Sequence, residues 1–134
     1  MKTKVVNLQS GRTFVKNGIG SRTVNEACRY RCIQFVFDAG QELSEHTAAV
    51  PAVMHFLEGK AQVRLGRRTL TAGPGTWIHM APHQPHSIKA RTRLAMLLTM
   101  FVAPDEGCHC GCQSKGKACK CSCGCKKCSC GRKR

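Results

Sequence analysis

Cysteine makes up nine of the last 27 residues, and this carboxyl-terminal tail limits what the chain can fold into. Apart from its sulfur atoms, the tail offers little for burial beyond Ala118. A segment with so little apolar surface cannot build a hydrophobic core, and it stays disordered unless a ligand orders it. Dense thiolates prefer soft or borderline metals, so we expect Cu(I), Zn(II) or Cd(II) as that ligand. The predicted ligands are Cys108, Cys110, Cys112, Cys119, Cys121, Cys123, Cys125, Cys128 and Cys130.

Most of these cysteines are separated by one residue, as in Cys108-His109-Cys110. A single structural zinc is usually held by Cys-x2-Cys pairs, whereas repeated Cys-x-Cys lets sulfurs wrap and bridge several ions. Disulfides are the alternative, but nine is an odd number and Cys-x-Cys rings have poor disulfide geometry. The spacing favours an all-thiolate Cu(I) cluster, with Zn(II) or Cd(II) as the alternative if His109 also binds. This tail, residues 108–134, resembles the metallothioneins, especially the short copper-binding kind.

The net charge of +15 is concentrated towards the tail, which carries eight basic side chains and no acidic one. Such a tail is typical of nucleic-acid binding, but it has no aromatic residue to stack on a base. Lysines placed between thiolates also offset the negative charge of a metal–sulfur cluster, and we favour this interpretation. Nucleic acid is therefore an unfavoured partner, and metal ions are the expected one.

The preceding residues predict a separate domain, with the boundary drawn between residues 1–106 and 107–134. Ile33, Phe35 and Phe37 alternate with polar or smaller residues, which is the period of a β-strand. Glycine and proline interrupt similar short runs every eight to twelve residues, as expected of an all-β sandwich or barrel. A short helix is expected at Val24–Cys28. The aromatic side chains predicted to fill the core are Phe35, Phe37, Phe56, Trp77 and Phe101.

Two spaced motifs resemble those of small single-domain bacterial cupins over roughly residues 30–102. Gly40-x5-His46 followed by Leu57-Glu58-Gly59 is similar to the first cupin motif, and Gly75-x6-Pro82-x3-His86 to the second. The resemblance implies a small jelly-roll β-barrel that forms a homodimer. It also implies one divalent metal inside the barrel mouth.

The chain departs from the cupin pattern at two ligand positions, which hold Ala48 and Ala52. Only His46 and His86 remain as predicted barrel ligands, fewer than the three or four that a tight divalent site uses. His55, His79 and His83 are the candidates to complete the set. Strand alternation predicts that His55 points to the other face of its strand, which makes it a poor substitute.

Cys28 and Cys32 form a further Cys-x3-Cys pair outside the tail. Small buried hydrophobic side chains are the favoured interpretation, and a transfer site for metal from the tail is the alternative.

These features predict a metal-binding protein of copper, zinc or cadmium homeostasis whose tail sequesters several ions. The alternative is a cupin metalloenzyme of the dioxygenase or isomerase type, with the tail supplying or protecting its metal. Ala48 and Ala52 disfavour catalysis, so no catalytic residue is assigned. The amino terminus lacks the apolar stretch of a secretory signal and no run of 18 apolar residues occurs. A cytoplasmic protein with no membrane partner is therefore expected.

Overall fold

A computed structural model describes residues 3–27 and 29–101, which form nine β-strands and no helix. Residues 24–27 lie in the first strand, so the short helix predicted there is wrong. Within the described residues, no helix is long and apolar enough to span a membrane. The strands are β1 (Ile19–Ala27), β2 (Tyr30–Phe37), β3 (Glu42–His46), β4 (Ala52–Glu58), β5 (Ala61–Leu65), β6 (Arg68–Ala72), β7 (Trp77–Met80), β8 (His86–Ala90) and β9 (Leu94–Phe101).

The strands form two antiparallel sheets that enclose one core. The five-stranded sheet has the order β1-β2-β9-β4-β7, and the four-stranded sheet has the order β3-β8-β5-β6. Consecutive strands cross from one sheet to the other at β2–β3, β3–β4, β4–β5, β6–β7, β7–β8 and β8–β9. This all-β jelly-roll architecture confirms the predicted fold class.

The inner face of the four-stranded sheet consists of three rows that strand register aligns. Alternation of side chains brings every second residue of each strand to this face. The small residues form a row at one end, the aliphatic residues form the middle row, and two histidines lie at the opposite rim. The rows are Ala72–Ala61–Ala90, then Leu70–Val63–Ile88–Leu43, then Leu65–His86–His46.

The inner face of the five-stranded sheet has matching rows. Phenylalanines are concentrated at the end with the alanines, and two of the four methionines of this face lie at the rim with the histidines. Phe37 and Phe56 are fully buried, as predicted, and Phe35 packs against the same core. From the end with the alanines to the rim, the rows are Phe37–Leu94, then Phe35–Met96–Phe56, then Ile33–Leu98–Met54–Ile78, then Met100–Ala52–Met80.

The predicted core is wrong at two positions, Trp77 and Phe101. Trp77 is 62% exposed and Phe101 is 42% exposed, because their neighbours in the strand occupy the inner face. Trp77 alternates with the buried Ile78 and Met80, so its indole points outward and stacks on the ring of His79 at a centroid distance of 6.4 Å. The register of β7 therefore overrides the apolar character of tryptophan.

The amino-terminal segment covers part of the outer face of the five-stranded sheet. The side-chain amide of Gln34 donates to the carbonyl oxygen of Leu8 at 2.7 Å, and Arg12 forms an ion pair with Glu58. These contacts bury Gln34 at 2% exposure although it faces away from the barrel interior. The segment thus shields β2 on the side opposite the core.

The glycines that end and begin the first motif occupy left-handed backbone. Gly59 has φ of +82° between β4 and β5, and a Cβ there would lie 1.9 Å from the carbonyl oxygen of Arg93. Gly40 has φ of +81°, but a Cβ there would have nothing within 4 Å. Gly59 is therefore required both for its backbone angle and for close packing, whereas Gly40 is required for the angle alone.

Substitution of these two glycines separates the two requirements. Gly40→Ala is expected to lower the free energy of unfolding by about 1–2 kcal/mol, the cost of left-handed backbone with a Cβ. Gly59→Ala is expected to cost at least about 2 kcal/mol more, because the Arg93 carbonyl must also move. Urea denaturation of both variants measures the difference, and equal losses would contradict the predicted clash.

Candidate metal centre at the barrel mouth

His46 and His86, which are 40 residues apart in the sequence, lie together at the rim of the barrel. His46 is the last residue of β3 and His86 the first of β8, and the two are paired directly in the sheet. Their ring centroids are 4.1 Å apart and their planes meet at 61°. The two predicted barrel ligands are thus within reach of one ion.

Both imidazoles are oriented by the same kind of hydrogen bond. Nδ1 of His46 lies 2.8 Å from the carbonyl oxygen of Ser44, and Nδ1 of His86 lies 2.8 Å from that of Gln84. A carbonyl oxygen can only accept, so each Nδ1 donates and each neutral ring keeps its lone pair on Nε2. Metal-binding histidines commonly have this arrangement, in which a backbone carbonyl fixes the tautomer.

The two rings differ in their exposure to solvent. His86 is 6% exposed, whereas His46 is exposed at the mouth. Burial lowers the pKa of His86 below its ordinary value of 6.5, and the neighbouring His46 lowers it further, while the hydrogen bond to Gln84 opposes the change. A lowered pKa keeps Nε2 of His86 free to bind a metal in mildly acidic solution.

The remaining histidines of the barrel do not join this pair. His55 faces outward between the buried Met54 and Phe56, as strand alternation predicted, and His79 faces outward beside Trp77. His83 lies on the β7–β8 connection with φ of 64°, and its side chain is exposed. Among the described residues, no group of three or more His, Cys, Asp or Glu side chains is placed to hold a metal.

The residues present do not fit the divalent metal that the cupin resemblance implies. The two positions where that pattern places further ligands hold methyl groups, and Ala52 is 2% exposed in the core. Two imidazole nitrogens provide fewer donors than a tight zinc, iron or manganese site requires.

Sequence motifs do not identify the other side chains at this rim. Met80 and Met100 lie directly opposite Ala52 on the two neighbouring strands. Alternation within Trp77–Met80 gives a sequence signal for Met80, because Ile78 and Met80 share one face. No motif signals Met100, whose position follows from the pairing of β4 with β9.

The cysteine predictions are largely untested by the structure. The nine tail cysteines, the boundary at residue 106 and Cys28 lie outside the described residues. Cys32 lies on the outer face of β2, half-buried, with its Sγ 3.6 Å from Oγ1 of Thr99.

Known proteins share the fold of this chain. The family model of the AraC-like ligand binding domain matches residues 31–101. A protein of unknown function from Streptococcus pyogenes is 25% identical, with a TM-score of 0.68 over 77% of this chain and 90% of that one.

An RmlC-like cupin from Desulfovibrio desulfuricans is also 25% identical, with a TM-score of 0.69 over 75% of this chain and 97% of that one. The polyketide cyclase RemF from Streptomyces resistomycificus is 18% identical, with a TM-score of 0.63 over 75% and 80%. No curated protein matches the chain.

The lowered pKa of His86 predicts a specific pH dependence of stability. Because the folded protein binds a proton at His86 more weakly than the unfolded chain does, the free energy of unfolding should fall as pH drops from 6.5 through the lower folded pKa. Denaturation at pH 7.5 and pH 5 with a chelator present measures this loss. His86→Gln, which cannot be protonated, should lose less stability over the same interval, and an equal loss would contradict the prediction.

Proposed function

We propose that this chain, which belongs to the family of AraC-like ligand binding domains, is a metal-binding protein of copper, zinc or cadmium homeostasis. A cupin barrel carries a thiolate tail that sequesters several soft ions. The observation that carries this proposal is the density of Cys-x-Cys pairs in residues 108–134. A chain segment with that composition cannot build a hydrophobic core, so metal binding is the main interaction that can order it.

The exit point of the chain supports a connection between tail and barrel. β9 ends at Phe101, whose backbone N–H donates to the carbonyl oxygen of Pro51 at 3.0 Å, beside the start of β4. Cys108 follows seven residues later. At about 3.5 Å per residue, the first tail thiolate can lie at most about 25 Å from this rim. This limit is compatible with transfer of an ion between the tail and the mouth of the same molecule.

The expected surroundings follow from the chemistry of the tail. Thiolates bind metal only while they are reduced, so we infer a reducing compartment such as the cytoplasm. The basic residues of the tail would offset the charge of the cluster, in place of a role in nucleic-acid binding.

A homodimer through the barrel is part of the proposal. The outward-facing Trp77 and Phe101 leave apolar surface on the five-stranded sheet that a second copy would cover. Light scattering of Trp77→Glu beside the parent chain tests this, and an unchanged mass would exclude that face as the interface.

A cupin enzyme is the second candidate function. The observation in its favour is the pair of oriented imidazoles, each with a free Nε2 able to accept a proton or bind a metal. The cyclase RemF has a similar fold, but an identity of 18% is evidence for the fold and not for a shared reaction. Ala48 and Ala52 remove the further ligands that such chemistry would use, so metal storage is preferred.

Metal stoichiometry tests the proposed function. Native mass spectrometry of the full chain, loaded anaerobically with Cu(I) or with Zn(II), is expected to show several ions per molecule. The matched control is the full chain with serine at the nine tail cysteine positions, which is expected to keep one ion at most. Binding of one ion or none by the parent chain would refute sequestration by the tail.

A further inference from the structure

We propose that the thioethers of Met80 and Met100 complete, with His46 and His86, a Cu(I)-selective site inside the barrel mouth. This site goes beyond the proposed function of the tail, because it is built only from described residues of the barrel.

The four side chains are placed at one rim by two short connections. Residues 47–51 lead from His46 on the four-stranded sheet to Ala52 on the five-stranded sheet, and residues 81–85 lead from Met80 back to His86. The two connections are joined by a hydrogen bond of 2.7 Å from the backbone N–H of His83 to the carbonyl oxygen of Ala48. The histidine row and the methionine row therefore lie at the same end of the barrel.

The two methionines point into the barrel. Met80 is 3% exposed and belongs to the hydrophobic core, while its neighbour His79 is exposed. Met100 packs against the same core from β9. Both flank Ala52, and Cβ atoms of residues directly opposite each other are about 5 Å apart. Met80 and Met100 thus occupy the strand positions on either side of Ala52, where the cupin pattern has a ligand.

The usual spacing of packed sheets suits these side chains. Facing sheets in proteins generally lie about 10 Å apart, a distance that one long side chain and one imidazole together can bridge. Methionine is unbranched and flexible, so its sulfur can adjust towards an ion that the histidines already bind.

The donor set selects for a soft monovalent ion. Thioether and imidazole ligands favour Cu(I), whereas carboxylate and carbonyl oxygens suit harder ions. All four donors are neutral, so a bound Cu(I) leaves a charge of +1 in the half-buried mouth and a divalent ion leaves +2. Burying the larger uncompensated charge costs more, which further disfavours Zn(II).

Copper binding is best measured without thiolates. The background is the full-length chain with serine at all eleven cysteine positions, so that any sulfur bound to copper must come from methionine. Cu(I) is added anaerobically, its affinity is measured by competition with a chromophoric chelator, and X-ray absorption reports the ligand atoms. We expect one Cu(I) per molecule with both nitrogen and sulfur in its first coordination sphere. No Cu(I) binding, or copper with nitrogen ligands alone, would overturn the proposal.

A methionine series locates the sulfur ligands. Met80→Leu/Met100→Leu keeps side-chain volume and is expected to weaken Cu(I) binding about tenfold or more, with the copper–sulfur signal lost and Zn(II) affinity unchanged. The matched control is Met96→Leu, which lies two rows deeper on β9 and is expected to leave Cu(I) binding unchanged. Unchanged Cu(I) affinity in the double variant, or an equal loss in the control, would overturn the assignment. Circular dichroism establishes that each variant folds.

The two proposals fail separately. The thiolate-free background carries no tail cluster, so its Cu(I) binding reports only the barrel. A parent chain that binds several ions beside a background that binds none would leave the tail proposal standing and remove the barrel site. A background that binds one Cu(I), beside a parent chain that binds no more than one ion, would leave the barrel site standing and refute sequestration by the tail.

Discussion

The hydrogen bond from Nδ1 of His86 to the carbonyl oxygen of Gln84 is the interaction on which the barrel mouth depends. A polar ring that is 6% exposed must have a partner, because an unpaired buried donor costs about 1–3 kcal/mol. The partner comes from the backbone two residues earlier, and His46 uses Ser44 in the same way. Each ring is therefore oriented by its own segment before any ion arrives. The nitrogen that remains is a lone-pair donor in both cases, and this decides what chemistry the rim can support.

Strand alternation accounts for most of what the sequence predicted correctly. The period of two at Ile33, Phe35 and Phe37 located β2, and the same rule placed His55 on the outer face. Gly59 marked the turn after β4, where it packs against the backbone of Arg93. The cupin-like motifs singled out His46 and His86, which the structure pairs at the rim, while their role as metal ligands stays a prediction. Local pattern and close packing agree at all of these positions.

The sequence predictions are wrong where residue type conflicts with pattern. The size and apolar character of Trp77 predict a core position, whereas its neighbours Ile78 and Met80 fix its outward orientation. The expected helix at residues 24–27 is instead paired with β2, in contacts such as Glu26 with Arg31. Met100 could not have been found without the register of β9, because methionine has no recognised ligand spacing in a strand. Long-range pairing, which no local window contains, supplied the missing part of the candidate site.

Soft donors are what the rim and the tail would share under the two proposals. The rim has imidazoles and thioethers beside the methyl groups of Ala48 and Ala52, and the tail would contribute thiolates. A barrel of this kind and a tail of this kind would prefer the same ion for different physical reasons. The neutral donors at the rim would hold it weakly, and the charged sulfurs would hold it strongly.

The outward orientation of Trp77 determines what the intrinsic fluorescence of the protein can report. It is the only tryptophan of the chain, and its indole lies against His79 on the side of the sheet that faces away from the cavity. Its emission is therefore sensitive to whatever covers that outer surface, such as solvent or another molecule. It is a poor sensor of events between the sheets, so optical studies of the interior need a different chromophore.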